Sequence, residues 1–439
     1  MVNSLYKNRT FCVVNLGCKL NFAEASTLAR QLGGMGFVQV SEGEAADVYV
    51  VHTCAVTAQA EKKCRQAIRK LAKQGGSAAI CVTGCYALLK GDELRQMPEV
   101  TLVADKREAA QKIGEYFAHS GYACCRLPAA DADAANAADD FFAAYSSGDR
   151  TRSFLKVQDG CDYRCSYCTV PLARGASRNA AVEKVVGQAR KIAEQGVNEI
   201  VLTGVNIGDF GKSTGENFLQ LAQRLEAVEG VSRYRISSVE PNLLTAALID
   251  FVASSPKFLP HFHIPLQAGS NRILGLMRRR YTRELFAEKL RYIRKKMPLA
   301  FIGVDVIAGF PTETEEEFES ACSFLKELQP SYLHIFPYSK RPNTPAAAMP
   351  QTPDAQISGR AKRLGALCTA LHAEFYRKNV GKTGSVLFES ARRNGCMFGF
   401  SENYVKVALP YSADLANKIV PVRMTGVGED GIMRCEVAK

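Results

Sequence analysis

Gln158-Asp-Gly-Cys161-Asp-Tyr-Arg-Cys165-Ser-Tyr-Cys168 sets three cysteines at the spacing Cys-x3-Cys-x2-Cys. The apolar, β-rich run 153–157 just before it reads as a strand, so the cysteines fall on a loop over a strand end. Three thiolates so spaced can hold three irons of a [4Fe–4S] cluster and leave the fourth open to a small chelating molecule. A zinc site would want a fourth protein ligand, and no further Cys or His stands nearby in sequence. Three unrelated packing cysteines are the plainer alternative.

Downstream of this loop the same strand–helix alternation continues. Candidate strands at 153–157, 199–203, 233–237, 262–266, 301–307 and 332–336 are separated by helical patterns such as 182–195 and 314–328. Six βα units predict an incomplete (β/α)6 barrel with its site at the C-terminal ends of the strands. Upstream, strands at 10–16, 47–51, 78–83 and 100–103 alternate with helices at 23–32, 59–72 and 107–117. That pattern predicts an α/β, doubly wound parallel sheet. Cys18, Cys54 and Cys85 each stand just beyond one of its strands. Strand ends of an open α/β sheet share one edge, so three thiols distant in sequence can converge there. Buried packing residues are again the alternative, and Cys64 and Cys81 stand close enough to compete as ligands.

Two further segments complete the organisation. The Ala/Asp-biased stretch 128–149 reads as a mobile linker. Residues 382–439 alternate polar and apolar positions between Gly and Asn, which predicts a small antiparallel β-barrel led into by a helix at 355–378. The expected domains are therefore 9–120, the linker 128–149, 150–378 and 379–439.

The chain has 439 residues, of which 47% are hydrophobic and 23% charged, so wholesale disorder is excluded. Lys and Arg exceed Asp and Glu by 56 to 44, which favours a polyanionic partner. Fifteen cysteines, an odd number, fit a disulfide scaffold badly. No apolar run of about 18 residues and no apolar leader occur, so no membrane partner and a cytoplasmic location are expected. No Walker-type loop supports nucleotide hydrolysis.

The motifs around these cysteines carry a resemblance. They are Gly17-Cys-Lys-Leu-Asn21 with Glu24, Thr53-Cys-Ala-Val-Thr57, Gly84-Cys-Tyr-Ala87, and Cys168-Thr-Val-Pro171 with Arg174-Gly175 and Ser177-Arg178. Further on come Leu202-Thr-Gly-Val-Asn206, Ser237-Ser-Val-Glu-Pro241, His263-Ile-Pro-Leu-Gln-Ala-Gly-Ser270, Met277-Arg-Arg-Arg-Tyr-Thr282, Gly309-Phe-Pro-Thr-Glu-Thr314 and Phe336-Pro-Tyr-Ser-Lys-Arg-Pro-Asn-Thr344. Together they resemble the radical S-adenosylmethionine methylthiotransferase family along nearly the whole chain. Within it they look most like the branch that methylthiolates N6-threonylcarbamoyladenosine, the base just 3′ of the tRNA anticodon. His52 stands where Asn is usual in that branch, and Thr312 where Gly is usual.

The resemblance implies two [4Fe–4S] clusters, one on Cys18, Cys54 and Cys85, the other on the catalytic loop cysteines Cys161, Cys165 and Cys168. It implies S-adenosylmethionine on the open iron of the second, cleaved by one-electron reduction to a 5′-deoxyadenosyl radical. Tyr167 would lie near the adenine, and Thr203, Gly204 and Asn206 near the cofactor's amino group. Ser238 and Glu240 would bond the ribose, with Gln267 and Ser270 at the next strand end. Helix capping is the alternative for such Ser and Asn residues. The C-terminal barrel would be of the TRAM type and bind tRNA.

Three basic regions fit that partner: Lys62, Lys63, Arg65, Arg69, Lys70 and Lys73; the dense run 278–296; and the C-terminal barrel, where Arg392, Arg393, Lys406, Lys418, Arg423 and Arg434 interleave with Phe398, Phe400 and Tyr404. A solvated helix face is the alternative for the first two. The expected activity is C2 methylthiolation of threonylcarbamoyladenosine in tRNA, needing a reducing electron donor and a sulfur source. Isopentenyladenosine tRNA or a ribosomal-protein aspartate are the alternative substrates. An electron carrier or a zinc-containing RNA-binding protein are rivals of other classes.

Overall fold

The computed structural model describes residues 6, 8–119, 141–148 and 150–438. The first unit runs β1 (Thr10–Asn15), α1 (Lys19–Gly34), β2 (Val38–Gln39), β3 (Val48–Thr53), α2 (Ala58–Gly75), β4 (Ala79–Gly84), α3 (Cys85–Arg95), β5 (Leu102–Val103) and α4 (Ala109–His119). Its five strands are all parallel, in the order β2-β1-β3-β4-β5. β3 and β4 are buried along their whole length, because both sheet faces are covered. Leu28 and Leu32 of α1 and Ile113 of α4 pack one face; Cys64 and Ile68 of α2 pack the other. The chain reverses direction across the sheet between β1 and β3, which opens a crevice at the carboxyl ends of those strands. β2 and α3 lie outside the sequence expectation. β2 is only two residues long, and α3 follows β4 with no intervening loop.

The second unit carries the six expected strands: β6 (Arg152–Lys156), β7 (Glu199–Thr203), β8 (Arg233–Ile236), β9 (His261–Gln267), β10 (Phe301–Ala308) and β11 (Tyr332–Pro337). They form two parallel sheets, β6-β7-β8 and β9-β10-β11. Parallel bridges Tyr234↔Phe258 and Ser238↔His263 join them. The barrel is thus open, with β6 and β11 at its edges. The helices outside it are α5 (Val170–Arg174), α6 (Val182–Ala193), α7 (Phe218–Glu226), α8 (Ala246–Ser254), α9 (Asn271–Leu276), α10 (Arg283–Lys296), α11 (Glu315–Leu328) and α12 (Asp354–Asn379). One large apolar cluster runs between these helices and the strands.

The span 128–149 does not act as a linker at its C-terminal end. Phe141, Phe142, Ala144 and Ser146 are buried. Tyr145 pairs antiparallel with Leu155, and the Lys156 N–H donates to the Ala144 carbonyl at 2.9 Å. The cause is physical: β6 offers an unpaired edge, and two phenylalanines supply apolar area to cover it. Residues 120–140 lie outside the described residues.

The third unit is a closed barrel of β12 (Thr383–Phe388), β13 (Cys396–Ser401), β14 (Lys406–Pro410), β15 (Ile419–Val427) and β16 (Met433–Val437), in the order β12-β13-β14-β16-β15. Its pairings are antiparallel except β14–β16, which is parallel. The barrel packs against the N-terminal ends of the central strands. Phe301, Phe375 and Tyr376 enter its apolar core. Arg235 bonds both the Glu199 carboxylate and the Ser401 and Glu402 carbonyls. Phe400 and Tyr404, expected on an RNA-facing surface, instead stack on each other under Arg152 and Arg235. Burying two rings beneath two guanidinium planes outweighs leaving them in water. No helix among the described residues is long and apolar enough to cross a membrane.

Candidate functional site

Cys18 follows β1 and caps α1, Cys54 follows β3, and Cys85 opens α3 directly after β4. The three loops meet at one edge because glycines let the backbones approach. Gly84 has φ 94°, and a Cβ there would stand 2.5 Å from the Thr53 carbonyl. Asn21 ties the first turn of α1 to the end of β3: its Nδ2 donates to the Thr53 carbonyl at 3.0 Å, and its Oδ1 accepts from the Cys18 thiol at 3.3 Å. Burial pushes the Cys54 thiol up to about 11, and the neighbouring Cys18, Cys85 and Cys64 add to the rise. Burial raises Cys85 as well, against the opposing pull of Arg174. Of the two possible competitors, Cys64 lies with its sulfur 3.6 Å from the Cys54 carbonyl. Cys81 points to the other face of the sheet, into the core under α1 and α4.

The loop after β6 holds Cys161, Cys165 and Cys168. Gly160, at φ 68°, brings it within 1.9 Å of the Ala176 carbonyl for any added Cβ, so only glycine fits there. The Cys161 N–H donates to Gly175, Ser166 to Met277, and Ala346 to Ser166. Donors surround the sulfurs: Tyr163 N–H to Cys161 and Val170 N–H to Cys168, both at 3.4 Å, and Arg279 Nη1 to Cys165 at 3.1 Å. Burial pushes Cys161 up to about 12 and Cys168 up to about 11. Arg279, drawn by sequence into a phosphate-facing run, is instead turned inward with a 4% exposed side chain. It pairs with Glu240 and reaches the Tyr167 hydroxyl at 3.5 Å. Other cations of that run are also engaged, Arg291 with Glu327 and Lys296 with Asp250.

Glu240, Tyr167 and Cys165 thus converge through Arg279. Burial raises the Glu240 carboxyl, against the pull of Arg279. At the end of β7, the N–H groups of Val205 and Asn206 both donate to Gln158 Oε1, and Gly204 leaves room for that amide. Thr203 donates its hydroxyl to the Leu155 carbonyl. Asn206 Nδ2 bonds one Asp209 oxygen and Lys212 pairs with the other at 2.7 Å, while Asn206 Oδ1 is buried without a hydrogen-bond partner among the described residues. Ser238 bridges to His263, and Gln267 has φ 67° at the end of β9. Ser270 caps α9 and donates to Glu317 at 2.8 Å, which commits its hydroxyl to the helix start.

A metal centre fits both triads. Among the described residues only His263, Asp305 and His334 hold three candidate ligand atoms within 4.8 Å of one another. The cysteine triads are therefore wider than the site of a single ion. Three thiols with amide or guanidinium donors on their sulfurs match a [4Fe–4S] cluster with one iron free.

Between the triads lies a buried ionic network that the sequence reading missed. Lys106 and Lys156 each bond both Glu24 and Asp159, at 2.6–3.0 Å. Arg174 bonds Glu24 at 3.0 Å, Asp159 at 2.8 Å and Asn21 at 2.8 Å. Burial alone would raise both carboxyls; Arg174, Lys156 and Lys106 outweigh it and hold them well below the usual range. His52, 3.6 Å from Glu24, is pushed down to about 4 by burial and is neutral. The network joins Glu24 and Lys106 of the first unit to Lys156, Asp159 and Arg174 of the second. Glu24, Asp159 and Arg174 stand inside the motifs of the sequence, the one signal it offered.

The open six-stranded barrel with a three-cysteine loop over its first strand defines a radical S-adenosylmethionine protein. Residues 155–325 match the radical SAM superfamily, and residues 10–105 match "Uncharacterized protein family UPF0004". The fold is shared with the radical S-adenosylmethionine methyltransferase TsrM from Kitasatospora setae (TM-score 0.51, 15% identity, 77% of each chain). A threonylcarbamoyladenosine tRNA methylthiotransferase of Bacillus subtilis is 37% identical over 94% of this chain and 93% of its own. One of Aquifex aeolicus is 37% identical over 89% and 94%. A tRNA-2-methylthio-N(6)-dimethylallyladenosine synthase of Pelotomaculum thermopropionicum is 30% identical over 95% of both chains. The chain belongs to the radical S-adenosylmethionine methylthiotransferase family.

Proposed function

We propose that this protein methylthiolates C2 of N6-threonylcarbamoyladenosine beside the tRNA anticodon. The observation that carries the reading is the pair of cysteine triads at the strand ends of two units that one buried ionic network joins. It is supported by the 37% identity to two relatives named for that activity, across nearly the full length of both. When bound, the clusters and S-adenosylmethionine supply the radical and the methylthio group. Cys18, Cys54 and Cys85 would hold one cluster, and Cys161, Cys165 and Cys168 the other. Arg279 orients Cys165 and Glu240. Tyr167, Thr203, Gly204, Asn206, Ser238 and Glu240 line the strand ends where S-adenosylmethionine would sit, with Gln267 and Ser270 at the border. The network of Glu24, Asp159, Lys106, Lys156 and Arg174 sets the separation of the triads, which orients the reacting groups.

The domains would divide at 9–120, 150–378 and 379–439. An external one-electron donor and a sulfur source would act with tRNA, in the cytoplasm. An isopentenyl substituent is the second reading, favoured by the relatives at 30–32% identity that carry that name. The polar lumen of the barrel, with His263, Asp305 and His334, suits an apolar tail poorly. Mass spectrometry of tRNA nucleosides from cells with and without the protein tests the proposal. Loss of the methylthio form of threonylcarbamoyladenosine is expected on deletion; loss of the isopentenyl form alone would overturn it.

A further inference from the structure

The first two strands of the open barrel stop pairing just before the cysteine loop. Their ladder ends at Lys156 and Thr203, with one more bond from the Val157 N–H to the Thr203 carbonyl at 2.9 Å. Beyond it the chains part, because Gly160 turns at φ 68° into the loop and the chain after β7 bends at 205–206. The side chain of Gln158 spans the gap. Its Oε1 accepts from the Val205 N–H at 2.9 Å and the Asn206 N–H at 2.8 Å. Its Nε2 donates to the Asp159 and Gly160 carbonyls at 2.9 and 2.7 Å, and to the Ser177 hydroxyl at 2.9 Å. Gln158 is fully buried, so no water can stand in for any of these bonds.

A primary amide is what this gap asks for. Two N–H groups on one side need an acceptor, and two carbonyls on the other need a donor. A carboxylate offers no donor and an ammonium no acceptor. Gly204 is part of the fit, since a Cβ there would stand 2.9 Å from Gln158 Oε1. The loop has its own fastenings besides. Asp159 and Arg178 exchange two backbone bonds of 2.9 Å, the Cys161 N–H donates to Gly175 at 3.1 Å, and the Ser166 N–H donates to Met277 at 3.1 Å. The amide therefore adds a tie between two elements, each of which is held without it.

We propose that Gln158 is a positioning residue for S-adenosylmethionine. Its amide fixes the backbone just before Cys161 against the N–H groups of Val205 and Asn206, so the cluster loop and the end of β7 keep one separation. This rests on the placement of S-adenosylmethionine given under the proposed function. A molecule that must meet both elements at once is sensitive to a shift between them, even one that leaves each element intact.

Electron paramagnetic resonance of the anaerobically reconstituted, reduced full-length chain tests this. The part of the signal that changes on titration with S-adenosylmethionine reports the cluster on Cys161, Cys165 and Cys168. In Gln158→Glu the carboxylate keeps both N–H partners but turns a second acceptor toward the Asp159 and Gly160 carbonyls. Iron per chain should stay at the wild-type value. The concentration giving half the spectral change should rise about 10-fold, the cost of leaving buried polar groups without partners. Gln158→Met, of similar size and without hydrogen bonds, is the second variant and should behave alike. A half-change concentration equal to wild type in a folded variant overturns the proposal. So does loss of iron in step with loss of the spectral change, or failure of both variants to fold, since Gln158 would then only hold the loop together. A wild type whose signal does not respond to S-adenosylmethionine overturns the placement of the cofactor itself.

Discussion

Arg279 shows what one side chain does when burial and charge act together. Its guanidinium spans Cys165, Tyr167 and Glu240 from a site closed to water. A planar fork can hold a sulfur and a carboxylate at once; a lysine ammonium cannot do so from the same position. Arg279→Lys keeps the charge and loses one arm. Glu240, already raised by burial, is then left with a weaker partner. The expected outcome is a fall of about 10- to 100-fold in 5′-deoxyadenosine formed under reduction, the worth of a charged hydrogen bond of about 1.5–3 kcal/mol. The measurement is product per iron, so that cluster loading is divided out. An unchanged rate would remove Arg279 from the site.

At the scale of elements, the joint between the first two units is ionic where it is most buried. Lys156 on β6 and Arg174 on α5 meet Glu24 on α1 and Lys106 between β5 and α4. Two carboxylates and three cations sit there in place of an apolar seam. Removing one member leaves another charge buried without its counterion, which costs about 3–5 kcal/mol. Lys156→Met should therefore lower stability by about that much in chemical denaturation. Lys112, paired with Glu108 at 2.7 Å on the surface of α4, gives the contrast: Lys112→Ala should cost at most about 1 kcal/mol. Equal effects at the two positions would show that the network contributes nothing beyond a surface pair.

This joint also marks where the sequence stops being legible. The cysteines at strand ends could be read because strand–helix alternation fixes which loops share an edge. The six central strands could be read for the same reason. Lys106 and Lys156 could not, since a charged residue looks the same in sequence whether it faces water or a buried partner. Arg279 misled for that reason, sitting among arginines that do face water. Phe400 and Tyr404 misled because alternation in a barrel strand gives two faces without saying which one another unit covers.

At the scale of the molecule, the C-terminal barrel is both a support and a charged surface. Its core takes in Phe301, Phe375 and Tyr376 of the central unit, so deleting it would expose apolar surface there and confuse docking with unfolding. Its charges can be tested in place. Arg392 and Arg393 lie on the exposed turn between β12 and β13 and form no ion pair among the described residues. Lys418, just before β15, is exposed as well. Each phosphate contact releases counterions, so log K falls with log salt by about 0.7–0.9 per contact. If the barrel docks tRNA through these three side chains, replacing all three with Gln should flatten the slope by about two to three. Binding should weaken alike across tRNA sequences, because phosphate contacts position without reading bases. Selection of the modified adenosine should stay with the central unit. Filter binding across salt, on the full-length triple variant with its melting temperature checked, measures both. An unchanged slope would move docking to the exposed face of α2, where Lys62, Lys63, Arg69 and Lys70 point to solvent.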